Sequence, residues 1–372
     1  MQLVRQAERL VFAAPVWRLV AAVLLVGLMK TGVWQIPNFG ASRLIAQDPF
    51  TNPFQDPYAH TLYWSWLGPF LAWAIGATSP VAFFGFHLLL SVGFAALFVL
   101  AAFRSLPERE ARVSLVLFAV LPVSATAFFW VSTDSLTLFL IMLAFALPRR
   151  WWIGALVGTT LGMQHFEQAL FGFGALLATL VLSRLQGSPA ERWSGWAASV
   201  LAGVVAGKLA LVGLFSWLGV EVNSGRLYWL QEHLPLLLEQ FLLHVHIILF
   251  SVLGLGWLVA VKYVERGREA LPFLAALGGL MLLLPISGDQ TRVLAVVTFP
   301  LIAATWLLSG RVLASLSDRW VAWLLVSWVI VPWSWVWGGL PRWSAFPYDL
   351  AYLLNQGLGW LEPLPDPFLG PF

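Results

Sequence analysis

Apolar stretches about 20 residues long recur along the whole chain, and they constrain its fold more than any other feature. Residues 80–103 and 195–218 are two of them. A helix of that length crosses ~30 Å of hydrocarbon, and backbone groups in lipid must find hydrogen-bond partners within the segment. Only 10% of the residues are charged, against roughly a quarter in soluble domains. We therefore predict an all-α, polytopic transmembrane bundle, with residues 1–372 as a single transmembrane domain.

The apolar stretches predict about eleven membrane spans. Polar residues interrupt two regions, at 132–135 and at 164–168. Each interruption predicts a pair of short helices that meet at the outer face, with the polar break turned toward protein or water. The predicted spans are residues 13–34, 80–103, 113–130, 132–148, 152–164, 169–183, 195–218, 244–262, 271–286, 293–309 and 320–338.

The basic residues are distributed unevenly between the two sides of these spans. With the N-terminus in the cytoplasm, 14 of the 21 Lys and Arg residues fall in cytoplasmic segments. Such an excess on one side sets the orientation of a membrane protein. The net charge of +3 is therefore a topology signal, and nucleic acid is not expected as a partner. We predict an integral protein of the bacterial inner (cytoplasmic) membrane. Four basic residues fall on the outer side: Arg43, Arg226, Arg292 and Arg342.

Three longer segments are predicted on the outer side: a first loop, 35–79, a second loop, 219–243, and a Pro-rich tail, 339–372. Within the first loop, the amphipathic stretch from Ala59 to Gly76 predicts a juxtamembrane helix that lies along the interface. The tail is predicted to be an irregular cap.

Eleven of the 18 acidic residues also fall on the outer side. Four of them, Asp56, Asp134, Glu167 and Asp289, lie at short outer turns or beside span ends. Ionisable groups near membrane depth are costly and tend to face cavities or partners. Each could cap a helix or form an ion pair, as Asp289 could with Arg292 three residues later. Because all four share one depth, we favour a common cavity.

The order of these features resembles the C-type (GT-C) superfamily of polyprenyl-phosphate-dependent glycosyltransferases. Residues 52–60, Asn-Pro-Phe-Gln-Asp-Pro-Tyr-Ala-His, resemble the acidic motif of the family's first outer loop, with Asp-Pro where the family often has Asp-Glu. Residues 121–136, with Thr133-Asp134 before an apolar helix, resemble the next helical hairpin. Glu167 falls at the following outer turn. The resemblance covers roughly residues 10–310 and leaves the individual family open.

The resemblance implies an inverting sugar transfer from a polyprenyl-phosphate donor to a glycan, lipid or protein acceptor on the outer side. One carboxylate must take the acceptor proton. We assign Asp56 to this role and keep Asp48 as the competing candidate in the same loop.

The donor phosphate needs a cation, and the guanidinium fork of arginine matches phosphate oxygens. Arg292 is our candidate, with Arg226 as a second one for phosphate or sugar. The substrate contacts are completed by Asp134, Glu167, His165 and Asp289.

No cofactor is predicted, although a divalent metal ion is left open. His165 with Glu167, and His244 with His246, offer ligands two residues apart, but that spacing points side chains to different faces of a helix. The absence of cysteine excludes thiolate sites and disulfides. A transporter or flippase of a lipid-linked glycan is the alternative function. It would need matched halves with corresponding broken helices, and the sequence shows no such repeat.

Overall fold

The computed structural model describes residues 1–31, 39–56, 59–129, 134–186, 191–223, 225–337 and 339–349. At 191–192 and 225–229 it describes the backbone alone. Within these ranges the chain forms seventeen α-helices and one β-hairpin. The helices are α1 Gln2–Phe12, α2 Val16–Thr31, α3 Phe39–Gln47, α4 His60–Tyr63, α5 Leu67–Ala74, α6 Pro80–Ser105, α7 Glu108–Val120, α8 Pro122–Phe129, α9 Asp134–Ala146, α10 Trp151–Leu185, α11 Glu191–Leu218, α12 Gly225–Leu253, α13 Gly256–Val264, α14 Leu271–Met281, α15 Gln290–Ile302, α16 Gly310–Ala314 and α17 Asp318–Ile330, with 3₁₀ turns Gly267–Ala270 and Leu284–Ile286 and a π-helical segment Ala303–Leu307.

Six helices in the described residues are long and apolar enough to cross a membrane. Two bent helix pairs pass the same test, α1 with α2 (119°) and α7 with α8 (62°), which raises the number to eight. The chain is thus an α-helical integral membrane protein, whereas the predicted count of about eleven spans is not confirmed. The six helices are Pro80–Ser105, Trp151–Leu185, Trp193–Leu218, Leu230–Leu253, Gly267–Ile286 and Gln290–Leu307.

The region predicted as the second outer loop, 219–243, is mostly helix. From Gly225 onward it belongs to α12, which continues through Pro235 to Leu253. The structure thus replaces most of the predicted loop by helix, and Pro235 lies within it because neighbouring groups in a membrane bundle can satisfy the backbone beside a proline. The span predicted at 244–262 is instead divided at Gly254, whose positive φ of 54° separates α12 from α13.

Helix α10 reverses direction at His165, its one residue with non-helical backbone angles. A Cβ built at Gly158 would overlap Val200, and one built at Gly162 would overlap Val204. The first arm of α10 therefore runs parallel to α11. Since α11 follows α10 almost directly, parallel packing requires the chain to turn back between them. The polar break at 164–168 is thus the turn of a helical hairpin, as the sequence predicts.

Because the helices alternate in direction, their charged side chains lie at the two ends of the bundle. At one end, which we call the basic end, Arg109 pairs with Asp318 at 2.6 Å and Arg112 donates to the carbonyls of Val11 and Ala14 at 2.8 Å. Those carbonyls follow the last turn of α1, where helical partners are missing. The opposite end, where α9 and α15 begin, we call the acidic end.

The core of the bundle is formed by α7, α8 and α9. Every described side chain from Ala111 to Phe129 is buried, and α9 is nearly as enclosed. Aromatic rings bind this core to its neighbours, with Phe98 of α6 stacked on Phe118 of α7 at 4.2 Å. Because α9 lies at the centre, the side chain at its first position, Asp134, is enclosed as well.

A β-hairpin covers the acidic end. Strand β1 (Ser334–Trp337) pairs antiparallel with β2 (Leu340–Trp343), and Trp335 lies opposite Arg342. The sequence predicted β1 as the end of the span 320–338 and β2 as part of the irregular tail 339–372. The tryptophans of β1 have the apolar composition of a membrane span. The rest of the predicted tail, from residue 350, lies outside the described residues.

The first outer loop contains three short helices. The amphipathic stretch forms α4 and α5 with an irregular segment between them, so it is not one continuous helix. A further helix, α3, ends at Gln47 and places Asp48 directly after a rigid element. Residues 57–58 lie outside the described part of this loop.

Candidate functional site

A buried ion pair joins two helix starts at the acidic end. Arg292, in the first turn of α15, donates from Nε to Oδ2 of Asp134 at 2.5 Å and from Nη2 to Oδ1 at 3.1 Å. Asp134 is fully buried, and 14% of the Arg292 side chain is exposed. Two parallel hydrogen bonds of this kind are the strong form of an arginine–carboxylate contact. The two residues are 158 positions apart, and no local sequence pattern indicates their pairing.

Asp289 is the second carboxylate beside Arg292. Its Oδ2 lies 3.6 Å from Nη1 of Arg292, and its Oδ1 accepts a hydrogen bond from Nε1 of Trp335 at 2.8 Å. No donor among the described residues makes a hydrogen bond to Oδ2. Burial raises the pKa of Asp289 from 3.8 to about 6, although Arg292 and Trp335 oppose the shift. Asp289 therefore has one anchored oxygen and one buried oxygen that can take a proton.

The β-hairpin holds the start of α15, where Asp289 and Arg292 lie, in place. The backbone N–H of Val336 donates to Oγ1 of Thr291 at 2.9 Å. Gly339, at a φ of 77°, brings the hairpin turn so close to α12 that a Cβ there would lie 2.8 Å from Cβ of Gln240. The ring of Trp335 also packs on Phe129 at 4.8 Å. Sequence analysis placed Trp335 near the end of the predicted span 320–338 and missed its contact with Asp289.

Asp48 and Asp56 lie in the exposed loop between α3 and α4, not in this buried cluster. The Asp48 carboxylate accepts a hydrogen bond from the backbone N–H of Phe50 at 3.1 Å. The carbonyl oxygen of Asp56 accepts from the N–H of Ala59 at 3.0 Å and thus starts the turn that leads into α4. Both carboxylates are accessible to an incoming molecule.

His60 ties this loop to the segment after α11. Its Nδ1 accepts from the N–H of Asn223 at 3.1 Å, so the ring proton lies on Nε2, which donates to the carbonyl of Phe54 at 3.1 Å. Nδ2 of Asn52 adds a bond to the carbonyl of Glu221 at 2.9 Å. The position of the Asp56 loop is therefore set by contacts with a second segment of the chain.

The turn of α10 forms a separate polar group. Oε1 of Gln164 accepts from the N–H of Gly68 at 2.8 Å, which attaches α5 to the turn. His165 is buried, and its Nδ1 lies 3.9 Å from Oε2 of Glu167, which is 32% exposed. Lys208 of α11 lies 3.2 Å from the ring centre of Trp64 beside the same turn. Two of the predicted substrate contacts are thus brought together here.

The remaining predictions concern Arg226 and metal binding. The side chain of Arg226 lies outside the described residues. Among the side chains that are described, no three His, Asp or Glu residues form a group that could hold a metal ion. In the other predicted pair, Nδ1 of His244 lies 3.1 Å from the carbonyl of Gln240, one turn earlier in α12.

No protein-family model matches the chain, and no curated protein or solved structure matches it either. The chemistry of the acidic end must be read from its own groups. Asp289 can exchange a proton near neutral pH, and Arg292 supplies a fixed positive charge between two carboxylates. Buried, paired charges beside membrane-spanning helices make this cluster the candidate functional site.

Proposed function

We propose that this integral membrane protein is a glycosyltransferase that moves a sugar from a polyprenyl-phosphate donor to an acceptor at the acidic end. The observation that carries the proposal is the buried Asp134–Arg292–Asp289 cluster, which lies at the end of the bundle where the resemblance to the C-type superfamily puts the reaction.

In an inverting transfer the acceptor hydroxyl oxygen attacks the anomeric carbon. The bond between that carbon and the phosphate oxygen breaks, its electrons go to the phosphate, and the hydroxyl proton goes to a carboxylate. The resemblance assigns the proton to Asp56, which is accessible at the membrane edge. Asp289 is the alternative that the geometry supports, because its pKa of about 6 suits a base near neutral pH.

The finer topology belongs to the same proposal. About eleven short and long spans, with GT-C-like helical hairpins, would leave the acidic end on the outer side of the bacterial inner membrane. The distribution of basic residues, 14 cytoplasmic against four outer, supports this orientation. A donor would reach the acidic end from within the bilayer, and the acceptor would come from outside the cell.

Sugar transfer by the purified protein tests the proposal. The protein in lipid nanodiscs would receive polyprenyl-phosphate donors labelled in the sugar, with fractionated envelope glycans, lipids and proteins as acceptors. We expect label in one acceptor fraction, and loss of that transfer in Asp289→Asn or Asp56→Asn. Asp318→Asn, at the basic end, is the matched control and should keep the activity of the parent. If no donor passes its sugar to any fraction, the proposal is wrong.

A flippase of lipid-linked glycans remains the second candidate, because two membrane helices break within the bundle. The breaks lie between α7 and α8 at Leu121 and between α12 and α13 at Gly254. Broken helices are typical of transporters. Movement of a fluorescent polyprenyl-phosphate sugar across liposomes, without any transfer to acceptors, would favour this function instead.

A further inference from the structure

A second charged side chain is buried at the acidic end, and the Asp134–Arg292–Asp289 cluster does not use it. Lys30, in the last turn of α2, is 2% exposed. Its Nζ donates to the carbonyl of Val331, which follows α17, at 2.5 Å. The ring centres of Trp328 and Phe346 lie 5.8 and 5.7 Å from the same nitrogen. The ammonium group therefore sits among one carbonyl and two aromatic faces.

This environment leaves the charge of Lys30 incompletely satisfied. An ammonium has three N–H donors, and the described residues provide one acceptor. No carboxylate in the described part of the chain pairs with it, unlike Arg292. Removing an unpaired cation from water costs several kcal/mol, and charged groups at membrane depth are found where function requires them.

A cavity of about 30 Å³ adjoins the ammonium. Since one water-sized sphere needs about 10–15 Å³, this volume holds two or three oxygen atoms. Its wall is formed by α2, by the two helix breaks and by the start of β1, through residues such as Lys30, Ser124, Ser251 and Ser334. Phe250 and Leu255 make the rest of the lining apolar.

Each of the two helix breaks places a helix N-terminus beside the cavity. Helices α8 and α13 both begin at its wall, and a helix N-terminus carries a partial positive charge that favours anions. Helices α7 and α12 end there, and some carbonyls at those ends are bonded within the chain. Oγ of Ser124 donates to the carbonyls of Ala119 and Leu121 at 2.9 Å, and the N–H of Gly254 donates to that of Phe250 at 2.8 Å. Of the described residues that line the cavity, Lys30 alone carries a charged side chain.

We propose that the Lys30 cavity binds the phosphate group of a lipid. The volume holds the two or three non-bridging oxygens of one esterified phosphate, and the apolar lining suits a phosphate attached to a hydrocarbon chain better than a free ion. The inference rests on the proposed function in one respect, that the lipid is the sugar donor. Sequence analysis assigned the donor phosphate to Arg292, but the guanidinium fork of Arg292 is engaged by Asp134.

The position of the cavity agrees with this role. Ser334 lines the cavity, and the next residue of β1, Trp335, holds Asp289. Successive side chains of a strand point to opposite faces, so the cavity and the carboxylate cluster lie on the two sides of one strand. A phosphate bound by Lys30 would be close to the carboxylates without being held by them.

Binding of a polyprenyl monophosphate to the full-length protein in nanodiscs, followed by native mass spectrometry, tests the inference. Polyprenol without phosphate and inorganic phosphate are the comparison ligands. We expect the lipid phosphate alone to bind, with a loss of about tenfold or more in Lys30→Met and retention in Lys30→Arg. Lys262→Met, the control, removes an exposed lysine of α13 that pairs with Glu265 at 2.7 Å, and it should bind like the parent.

A structural role for Lys30, as a cap on the end of α17, predicts a different result. In that case Lys30→Met would lose stability but bind the lipid phosphate as the parent does, and the inference would be wrong. Should Lys30→Met fail to fold, Gly27→Leu replaces it: Gly27 lines the cavity and has open space at its Cβ position, so leucine should fill the site and abolish binding.

The two comparison ligands complete the test. Inorganic phosphate that binds as tightly as the lipid, or polyprenol that binds equally well, would also overturn the inference. The binding assay contains no sugar and no acceptor, so its result is independent of the sugar-transfer assay. Binding through Lys30 can be observed even if sugar transfer fails. Sugar transfer can likewise be observed even if lipid binding does not depend on Lys30.

Discussion

Replacement of Arg292 by glutamine should destabilise the protein more than replacement of either of its carboxylate partners. Arg292 lies between Asp134 and Asp289, so its loss leaves two buried acids without a counter-charge. Asp134→Asn, in contrast, leaves Arg292 with Asp289 at 3.6 Å and with partial access to solvent. The three single variants are therefore expected to be unequal, with Arg292→Gln the most harmful.

The magnitude follows from the burial of the two partners. Asp134 is fully buried and makes two hydrogen bonds to Arg292. Removing one partner of such a pair costs about 3–5 kcal/mol, because it leaves an uncompensated buried charge. Asp134→Asn keeps a side chain of the same shape and should cost about 1–3 kcal/mol. In the double variant the two losses should not add, and the coupling should amount to about 1–3 kcal/mol.

Reversible unfolding in bicelles, with the free energy of unfolding measured by steric trapping, can test these values. The matched control is Arg109→Gln, which breaks the more exposed Arg109–Asp318 pair at the basic end. Such a pair contributes about 0–1 kcal/mol. Equal losses for Arg292→Gln and Arg109→Gln, or strict additivity in the double variant, would refute the argument.

Three further predictions concern packing, protonation and the first loop. Gly158→Ala should cost about 1–3 kcal/mol, since its methyl group would overlap the Val200 carbonyl, whereas Gly174→Ala has open space and should be nearly neutral, as unfolding measurements can show. Because burial raises the pKa of Asp289 to about 6, ionisation of this acid destabilises the fold as pH rises from about 4 to 6. Asp289→Asn should therefore gain on the order of 3 kcal/mol relative to the parent between pH 4 and pH 7, and a constant difference would contradict this. Asp56→Asn, in which asparagine can still start the turn, should slow sugar transfer by about a hundredfold if Asp56 is the base and leave its rate unchanged if Asp289 is.

Several features of the fold could be predicted from local sequence. The membrane class follows from apolar length, and the turn of α10 follows from the polar residues 164–168 within an apolar region. The proximity of Asp289 and Arg292 follows from their spacing of three residues at the start of a helix. Each of these predictions depends on residues that are close together along the chain.

The features that could not be predicted depend on distant parts of the chain. The Asp134–Arg292 pair joins helices 158 positions apart, and no local pattern specifies it. The β-hairpin was missed because its tryptophans have the composition of a membrane span. The course of α12 through Pro235 was missed because the effect of a proline depends on the helices around it. Lys30 attracted no assignment, since its significance lies in the cavity that distant segments form beside it.

The rate of sugar transfer from a labelled polyprenyl-phosphate donor, measured in proteoliposomes with the acidic end exposed to added acceptor, tests the central claim most directly. The parent should transfer sugar to acceptor supplied at that end, and Asp289→Asn or Asp56→Asn should reduce the rate by about a hundredfold or more. Asp318→Asn at the basic end should leave the rate unchanged. Transfer that is absent in the parent, or that survives in both acidic-end variants while Asp318→Asn abolishes it, would contradict the account.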